Sequence, residues 1–310
     1  MARVVVTGAA GFLGSHCTRA LLSRGHEVLA WTRPGAPLPD AAGRVERLEL
    51  DLEAVRSPEG RATAAAALAA FSPEALVHLA WRGTRGADRG DVLQLRNVAV
   101  GTEVISLALA AGARRLVGVG SQAEYGRLDR PISEDDRPAP ETLYGAAKLA
   151  LGQLLLALGG RQGCSCAWAR VFSLYGPGEK GPALVPDLVR ALHAGRELAL
   201  GRGEEVWDYL YVEDAAEALA LLVERPAEGA FNVCSGIPVR IREVVEEIGR
   251  SVAPGARLAF GARPEVAGAP RHLVGRADRL RRAVDWSPRT TLSDGLARTI
   301  ADLVGYAGRR

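Results

Sequence analysis

A glycine-rich turn near the N-terminus constrains this chain more than any other part of its sequence. The stretch RVVVTGAAGFLGSHCTRALLSRG places Gly8, Gly11 and Gly14 between a hydrophobic strand and a helical segment. Small residues there let the backbone turn tightly and approach a pyrophosphate, whose negative charge then lies at the helix N-terminus. The spacing is GxxGxxG rather than GxGxxG, and it opens the first strand–helix unit of the chain. A dinucleotide site is therefore favoured over a merely tight strand-to-helix turn.

The first half of the chain alternates short β-branched runs with Ala- and Leu-rich stretches. This alternation is typical of βαβ units and a parallel sheet. We expect strands at 3–7, 27–32, 45–50, 75–79, 115–120 and 166–171. Apolar residues recur at helical spacing between them, which predicts helices at about 12–24, 58–71, 91–112 and 142–160. The predicted fold class is α/β, with a Rossmann-type doubly wound parallel sheet.

The pattern becomes irregular after residue 174. YGPGEKGPALVP predicts a Pro/Gly-rich loop followed by a helix, and DYLYV predicts a short strand before a helix at 213–224. GAFNVCSG and RIREVVEEIGRSV add a strand and an amphipathic helix, and the tail is helical. We predict an NAD(P)-binding Rossmann domain at 1–174. Residues 175–310 are predicted to form a smaller α/β lobe that mainly binds substrate, with some return of the chain to the Rossmann domain.

Composition narrows the class of protein. The chain has 310 residues, of which 48% are hydrophobic and 24% charged, as in a globular protein with two lobes. The net charge is +3 and the arginines are scattered among 36 acidic residues, so no nucleic-acid-binding face is expected. We find neither a signal peptide nor an apolar run of about 18 residues, which predicts a cytoplasmic protein without a membrane span. The four cysteines indicate small core residues rather than a metal site.

The end of the second strand bears on the choice of cofactor. An Asp or Glu there would accept hydrogen bonds from the ribose 2′-hydroxyl of NAD. This sequence has Thr32 and Arg33 at that point, and no acid until Asp40. An arginine pairs with a 2′-phosphate, although it could also stack on the adenine of either cofactor. We therefore predict NADP, with NAD as the alternative.

Taken together, these motifs resemble those of the extended short-chain dehydrogenase/reductase family, over nearly the full length. The resemblance is to the group of nucleotide-sugar epimerases, dehydratases and 4-ketoreductases. TGAAGFLG matches its glycine motif, Asp51-Leu52 its adenine-contacting pair, HLAW its strand-end motif beside the cofactor phosphates, and Asn97 its structural asparagine. The cofactor site implied by the motifs and the resemblance comprises Gly8, Gly11, Phe12, Leu13, Gly14, Thr32, Arg33, Asp51, Leu52, Leu79, Ala80, Trp81, Asn97, Tyr144 and Lys148.

Three residues form the candidate catalytic group. Tyr144 and Lys148 are four apart in TLYGAAKLA, so they share one face of a helix. A phenol has a pKa of about 10, which a lysine ammonium and the positive ring of an oxidised cofactor would both lower. Lys148 is one of 2 lysines against 37 arginines, which favours a role for a compact ammonium that reaches the ribose hydroxyls. The resemblance assigns Ser121 a hydrogen bond to the reacting oxygen.

The chain departs from the family pattern directly after Ser121. Sugar 4,6-dehydratases carry an Asp-Glu pair there to eliminate water, and this chain has Gln122 and Ala123. Glu124 is displaced by one residue, and on an extended segment its side chain would face the other way. Dehydration is therefore not expected.

Two later segments resemble the parts of the family that face the sugar nucleotide. In RVFSLYGPG, Ser173 replaces the more usual Asn, and in WDYLYVEDAAEAL, Trp207 replaces an arginine aimed at the phosphates in many epimerases. Arg202 or Arg263 is expected to supply that charge, with a solvated surface position as the alternative for each and core packing as the alternative for Trp207. The predicted substrate-binding residues are Ser121, Gln122, Ser173, Val185, Arg202, Trp207 and Arg263.

The preferred function is NADP-dependent reduction of a nucleotide-linked 4-keto-deoxyhexose, with Tyr144 as proton donor. An NAD-dependent nucleotide-sugar epimerase would use the same three catalytic residues and is the alternative. A non-catalytic NAD(P)-binding protein is less favoured, because both Tyr144 and Lys148 are present. The resemblance further implies a homodimer through a helix pair that includes 142–160.

Overall fold

A seven-stranded parallel sheet lies at the centre of the computed structural model, which describes residues 1–38, 45–161, 163–264 and 271–307. The strands in chain order are β1 (Arg3–Thr7), β2 (Glu27–Thr32), β3 (Val45–Glu49), β4 (Ala75–His78), β5 (Arg115–Ser121), β6 (Ser165–Val171), β7 (Ser173–Tyr175), β8 (Val206–Tyr211), β9 (Gly229–Val233), β10 (Pro238–Arg240) and β11 (His272–Leu273). The order across the large sheet is β3-β2-β1-β4-β5-β6-β9. The order reverses between β1 and β4, where doubly wound sheets open a crevice at the carboxyl ends of their strands.

Helices cover both faces of this sheet. They are α1 (Phe12–Ser23), α2 (Pro58–Phe71), α3 (Leu93–Ala110), α4 (Leu143–Leu156), α5 (Leu184–His193), α6 (Val212–Glu224), α7 (Ile241–Val252), α8 (Asp278–Val284) and α9 (Leu292–Ala307). Alternate residues of a strand face opposite sides. Val4 and Val6 of β1 therefore pack with α1 and α6, whereas Val5 packs with α2, α3 and α4.

A second, smaller sheet carries the rest of the chain. Strand β8 pairs with β10, β11 and β7. Helices α5, α7 and α9 pack beside it around a separate apolar cluster that includes Tyr175, Val185, Val244, Ile248 and Leu296. The central sheet is not confined to the N-terminal half, because β9 pairs with β6.

The α/β fold class and the parallel doubly wound sheet are confirmed. Strands β7, β10 and β11, of two or three residues each, and helix α8 were not predicted. Helix α4 ends at Leu156 rather than near residue 160, because Gly159 and Gly160 follow it and Gly160 has a φ of +69°. The division at residue 174 stays a prediction. Asp40 and residues 265–270 and 308–310 lie outside the described residues.

None of the helices in the described ranges is both long and apolar enough to cross a membrane.

Candidate active site

The glycine-rich turn joins β1 to α1 and leaves the start of that helix open. Gly8 has a φ of +70°, and a Cβ there would lie 2.9 Å from the backbone nitrogen of Ala80. A Cβ at Gly14 would overlap the carbonyl oxygen of Gly8. Gly11 caps α1 without a side chain, and the first turn contains no acid. The N–H groups at the start of α1, including those of Phe12 and Leu13, are thus arranged for a pyrophosphate.

The carboxyl end of β2 offers a hydroxyl and a cation. The Thr32 hydroxyl is buried, and no described residue forms a hydrogen bond with it. Arg33 is exposed, and its guanidinium forms no hydrogen bond or ion pair with a described residue. A ribose 2′-phosphate would provide an acceptor for the exposed guanidinium. This end of the site therefore fits the dinucleotide that the glycine turn indicates.

Asp51 and Asn97 are both engaged with the loop after β4. Asp51 Oδ1 accepts the Glu53 N–H at 3.0 Å, and its Oδ2 lies 2.8 Å from Nη2 of Arg82. Asn97 holds the Arg82 backbone from both sides, accepting its N–H at 3.1 Å and donating to its carbonyl at 2.9 Å. Leu52 starts the short 3₁₀ turn that Asp51 caps. An adenine that contacts Asp51 would share this carboxylate with Arg82, a neighbour that sequence reasoning missed.

The residues after β4 lie against the glycine turn. The N–H groups of Leu79 and Ala80 donate to the carbonyl and the hydroxyl of Thr7, each at 3.3 Å. The Trp81 indole N–H donates to Gln94 at 2.7 Å. The structure thus brings Leu79–Trp81 and the glycine turn to one side of the crevice.

Helix α4 brings Tyr144 and Lys148 to the end of β5, which carries Ser121. Tyr144 and Lys148 are only 7% and 3% exposed. Lys148 Nζ donates to the Val119 carbonyl at 2.6 Å and lies 3.9 Å from the centroid of the Trp81 ring. Tyr144 contacts the same ring edge-on, with centroids 6.3 Å apart. The three candidate catalytic residues therefore form one cluster behind Trp81.

Burial dominates the electrostatics of this cluster. It raises the pKa of Tyr144, while a hydrogen bond with Ser121 and the charge of Arg89 lower it. In the cofactor-free protein the Lys148 amine is engaged with the Val119 carbonyl and the Trp81 ring. The lowering of the Tyr144 pKa that we expect from Lys148 and an oxidised cofactor together stays a prediction. Burial also lowers the pKa of Lys148 to about 7, against the opposing effect of Glu124. Burial thus favours the neutral forms of both Tyr144 and Lys148.

Lys148 should make the stability of the cofactor-free protein depend on pH. Its pKa is about 7 in the folded protein, against an ordinary value of 10.5, so between these values the unfolded chain binds a proton that the folded chain does not. The free energy of unfolding should therefore rise with pH in this window, by up to about 1.4 kcal/mol per pH unit. Urea unfolding at pH 7, 8 and 9 should show a smaller rise for Lys148→Met. Equal slopes for the two proteins would contradict the lowered pKa.

The segment after Ser121 does not have the extended conformation that we expected. It is a 3₁₀ turn, Gln122–Glu124, and not an extended segment, because Ser121 and Glu124 form a capping box. Glu124 is fully buried and accepts the Ser121 N–H at 2.8 Å, Arg170 Nε at 2.7 Å and Trp168 Nε1 at 2.9 Å. Glu124 thus lies beneath Ser121, where its carboxylate is engaged by other groups of the protein.

A cavity of about 830 Å³ lies between the carboxyl end of the central sheet and the small sheet. Its wall includes five of the seven predicted substrate residues, namely Gln122, Ser173, Val185, Trp207 and Arg263. Ser121 directly precedes the wall residue Gln122 in the chain. Arg202 departs from the prediction, because Gly201 and Gly203 line the cavity and the exposed Arg202 does not. Arg202 lies in a segment without regular secondary structure, and the next residue, Gly203, has a φ of +75°.

Tyr209 and Arg89 are among the residues of the cavity wall that sequence reasoning missed. Tyr209 stacks on Trp207 with centroids 6.4 Å apart, and neither the Tyr209 hydroxyl nor the Trp207 indole N–H has a partner among the described residues. The alternation in WDYLY puts both rings on one face of a strand, so that signal was available. Arg89 lies in a short 3₁₀ turn, Gly86–Gly90, within the loop after β4, and no local sequence pattern marks it.

Comparison with known proteins places this site in a family. A model of the NAD dependent epimerase/dehydratase family matches residues 4–234. The UDP-glucose 4-epimerase of Mycolicibacterium smegmatis is 31% identical, over 96% of this chain and 97% of that protein. The GDP-6-deoxy-D-mannose reductase of Pseudomonas aeruginosa is 29% identical, over 97% of this chain and 96% of that protein. Epimerase and reductase names thus both occur among the relatives.

A solved structure resembles the whole chain. MoeE5 in complex with UDP-glucose and NAD superimposes with a TM-score of 0.82 at 29% sequence identity. The match covers 98% of this chain and 99% of MoeE5.

Proposed function

The chain belongs to the NAD dependent epimerase/dehydratase family, and from this premise we propose that it reduces a nucleotide-linked 4-keto-deoxyhexose with NADPH. The observation that carries the proposal is the end of β2, where the exposed Arg33 guanidinium has no partner among the described residues. This cation suits a 2′-phosphate and therefore NADP, which cells keep reduced. Gln122 and Ala123 replace the acidic pair of dehydratases, which further favours reduction.

In the proposed reaction the catalytic cluster delivers a proton and steadies an oxygen. NADPH, when bound, would supply the hydride that is added to the carbonyl carbon. Tyr144 donates its phenolic proton to the carbonyl oxygen, which becomes the product hydroxyl, and Ser121 donates a hydrogen bond to that oxygen. Lys148 would hold the nicotinamide ribose through its hydroxyls, and the ammonium form of Lys148 would stabilise the phenolate that remains.

An NAD-dependent nucleotide-sugar epimerase is the second candidate. It would use the same three residues to oxidise and then reduce one carbon. The UDP-glucose 4-epimerase from Mycolicibacterium smegmatis and the NAD in the MoeE5 structure favour this alternative. A non-catalytic role is disfavoured, because Ser121, Tyr144 and Lys148 lie together.

One experiment separates the two candidates. A panel of 4-keto nucleotide sugars is assayed with NADPH and NADH in parallel, and UDP-glucose is incubated without added cofactor. We expect stoichiometric NADPH oxidation with at least one 4-keto sugar. Tightly bound NAD in the purified protein, with epimer formation and no need for added cofactor, would instead identify an epimerase.

Arg33→Gln should change the cofactor preference. Loss of a charge-assisted contact to the 2′-phosphate is expected to lower kcat/KM for NADPH by about 10- to 100-fold and to leave the value for NADH nearly unchanged. Steady-state kinetics with both cofactors measure this change. Arg47→Gln is a matched control, because Arg47 is exposed on the neighbouring strand β3 and pairs with Glu49 at 3.7 Å. Equal losses with NADPH and NADH would contradict the assignment.

A homodimer and a cytoplasmic location stay predictions. Helices α3 and α4 pack together and expose Leu95 and Leu154, which are 62% and 51% accessible. These side chains favour a partner surface on the helix pair. Light scattering tests the dimer, and cell fractionation tests the location.

A further inference from the structure

Arg89 lies against the phenol to which the proposed function assigns proton transfer. Its guanidinium carbon is 4.6 Å from the centroid of the Tyr144 ring. Arg89 is half-buried and forms part of the wall of the 830 Å³ cavity. No described residue forms a salt bridge or a hydrogen bond with its guanidinium. A partly desolvated cation without a protein anion is suited to an anion that arrives with a ligand.

The loop that carries Arg89 is held in place from two sides. Gln94 of α3 is fully buried, and its amide donates to the carbonyls of Gly83 and Asp88 at 2.7 and 2.9 Å. On the other side, Arg85 pairs with the buried Glu179 at 2.6 Å and donates to the Pro182 carbonyl at 2.9 Å. These contacts fix the loop against both α3 and the segment before α5. Arg89 is therefore preorganised, which reduces the entropy that binding would cost.

The other cations of the cavity wall are placed differently. Arg127 pairs with Glu141 at 2.8 Å. Arg263 is exposed, and its backbone N–H is bonded to Leu200 at 2.9 Å. Trp207 stands where the family resemblance places a phosphate-binding arginine, and its indole brings no positive charge. Of the three arginines in the cavity wall, Arg89 is the one whose guanidinium contacts the Tyr144 ring.

We infer that Arg89 binds an oxyanion of the substrate beside the carbon that is reduced. The inference rests on the proposed function, because it takes Tyr144 as the proton donor and the cavity as the nucleotide-sugar site. A planar guanidinium binds carboxylate and phosphate oxygens in the same bidentate manner. The oxyanion therefore belongs either to a carboxylate on the sugar or to the diphosphate that joins sugar and nucleoside.

Calorimetric titration of the NADPH-saturated protein tests the inference. The ligands are UDP, dTDP and GDP, and the matched pair UDP-glucose and UDP-glucuronate, which differ by one carboxylate. Arg89→Gln is expected to bind at least one ligand about 10- to 100-fold more weakly than the wild type. Loss for the nucleoside diphosphates themselves identifies the diphosphate as the source. Loss confined to UDP-glucuronate identifies the sugar carboxylate.

Two further variants serve as controls for this test. Arg137→Gln removes the same charge from an exposed residue outside the cavity wall and should bind every ligand as the wild type does. Arg89→Lys keeps the charge without the bidentate geometry, and its affinity should lie between those of the wild type and Arg89→Gln. If Arg89→Gln and Arg89→Lys both bind every ligand of the wild type with wild-type affinity, the inference about Arg89 is overturned. The proposed function is not affected by that result. A wild-type protein that binds none of the ligands would overturn the proposed function, and this inference with it.

Discussion

Tyr144→Phe is expected to lower kcat for carbonyl reduction by about 100- to 10,000-fold, the usual contribution of a positioned proton donor. The substitution removes one hydroxyl and keeps the ring that contacts Trp81 and Arg89. The fold and the cofactor affinity should therefore be retained. NADPH oxidation followed by absorbance measures the rate, and fluorescence titration measures NADPH binding.

The matched control for this prediction is Tyr211→Phe. Tyr211 belongs to the apolar cluster beside the small sheet and is not part of the cavity wall. Its loss of a hydroxyl should leave kcat within about a factor of two, as expected for a residue outside the site. Full activity of Tyr144→Phe on every substrate that the wild type reduces would refute the mechanism.

Glu124→Ala should be the most destabilising single substitution proposed for this protein. It leaves the Arg170 side chain, 7% exposed, without its carboxylate, and it removes the acceptor for the Ser121 N–H and for Trp168. Breaking a buried pair by removing one partner costs about 3–5 kcal/mol. Urea unfolding measures this change in the free energy of unfolding.

Two comparisons separate this effect from ordinary charge loss. Glu246→Ala removes a 42% exposed carboxylate that lies 3.8 Å from Arg242, and it should cost less than about 1 kcal/mol. Glu124→Leu combined with Arg170→Met removes both buried charges and should recover part of the lost stability. A cost for Glu124→Ala no larger than that for Glu246→Ala would show that the buried network contributes little.

Most of the predictions made from the sequence depend on the spacing of residues that are close together in the chain. The glycine turn and the four-residue interval from Tyr144 to Lys148 each depend on one strand–helix unit or one helix turn, so they could be found without tertiary information. Glu124 was also within reach, since Ser121 followed three residues later by Glu124 is the signature of a capping box. The expectation of an extended segment overlooked that signature.

The rest depends on contacts between distant parts of the chain. Arg89 approaches Tyr144 because Gln94 and Glu179, which are far apart in sequence, hold its loop. The short strands β10 and β11 exist only as partners of β8, and two or three residues carry no periodic signal. The burial that moves the pKa of Lys148 likewise belongs to the assembled site and not to the YxxxK motif.

The chain adds its last strand, β9, to the central sheet late in the sequence, and this order affects how the protein folds during synthesis. Strand β6 has no neighbour on its outer side until residues 229–233 have been synthesised. During translation its unpaired backbone groups form an open edge, which is the kind of surface that recruits other chains. Asn232 of β9 also accepts the Tyr125 hydroxyl at 2.7 Å, which closes the polar chain that begins at Glu124 and runs through Arg170. The support beneath Ser121 is therefore completed only after β7 and β8 of the small sheet have been synthesised, and before β10 and β11 have been.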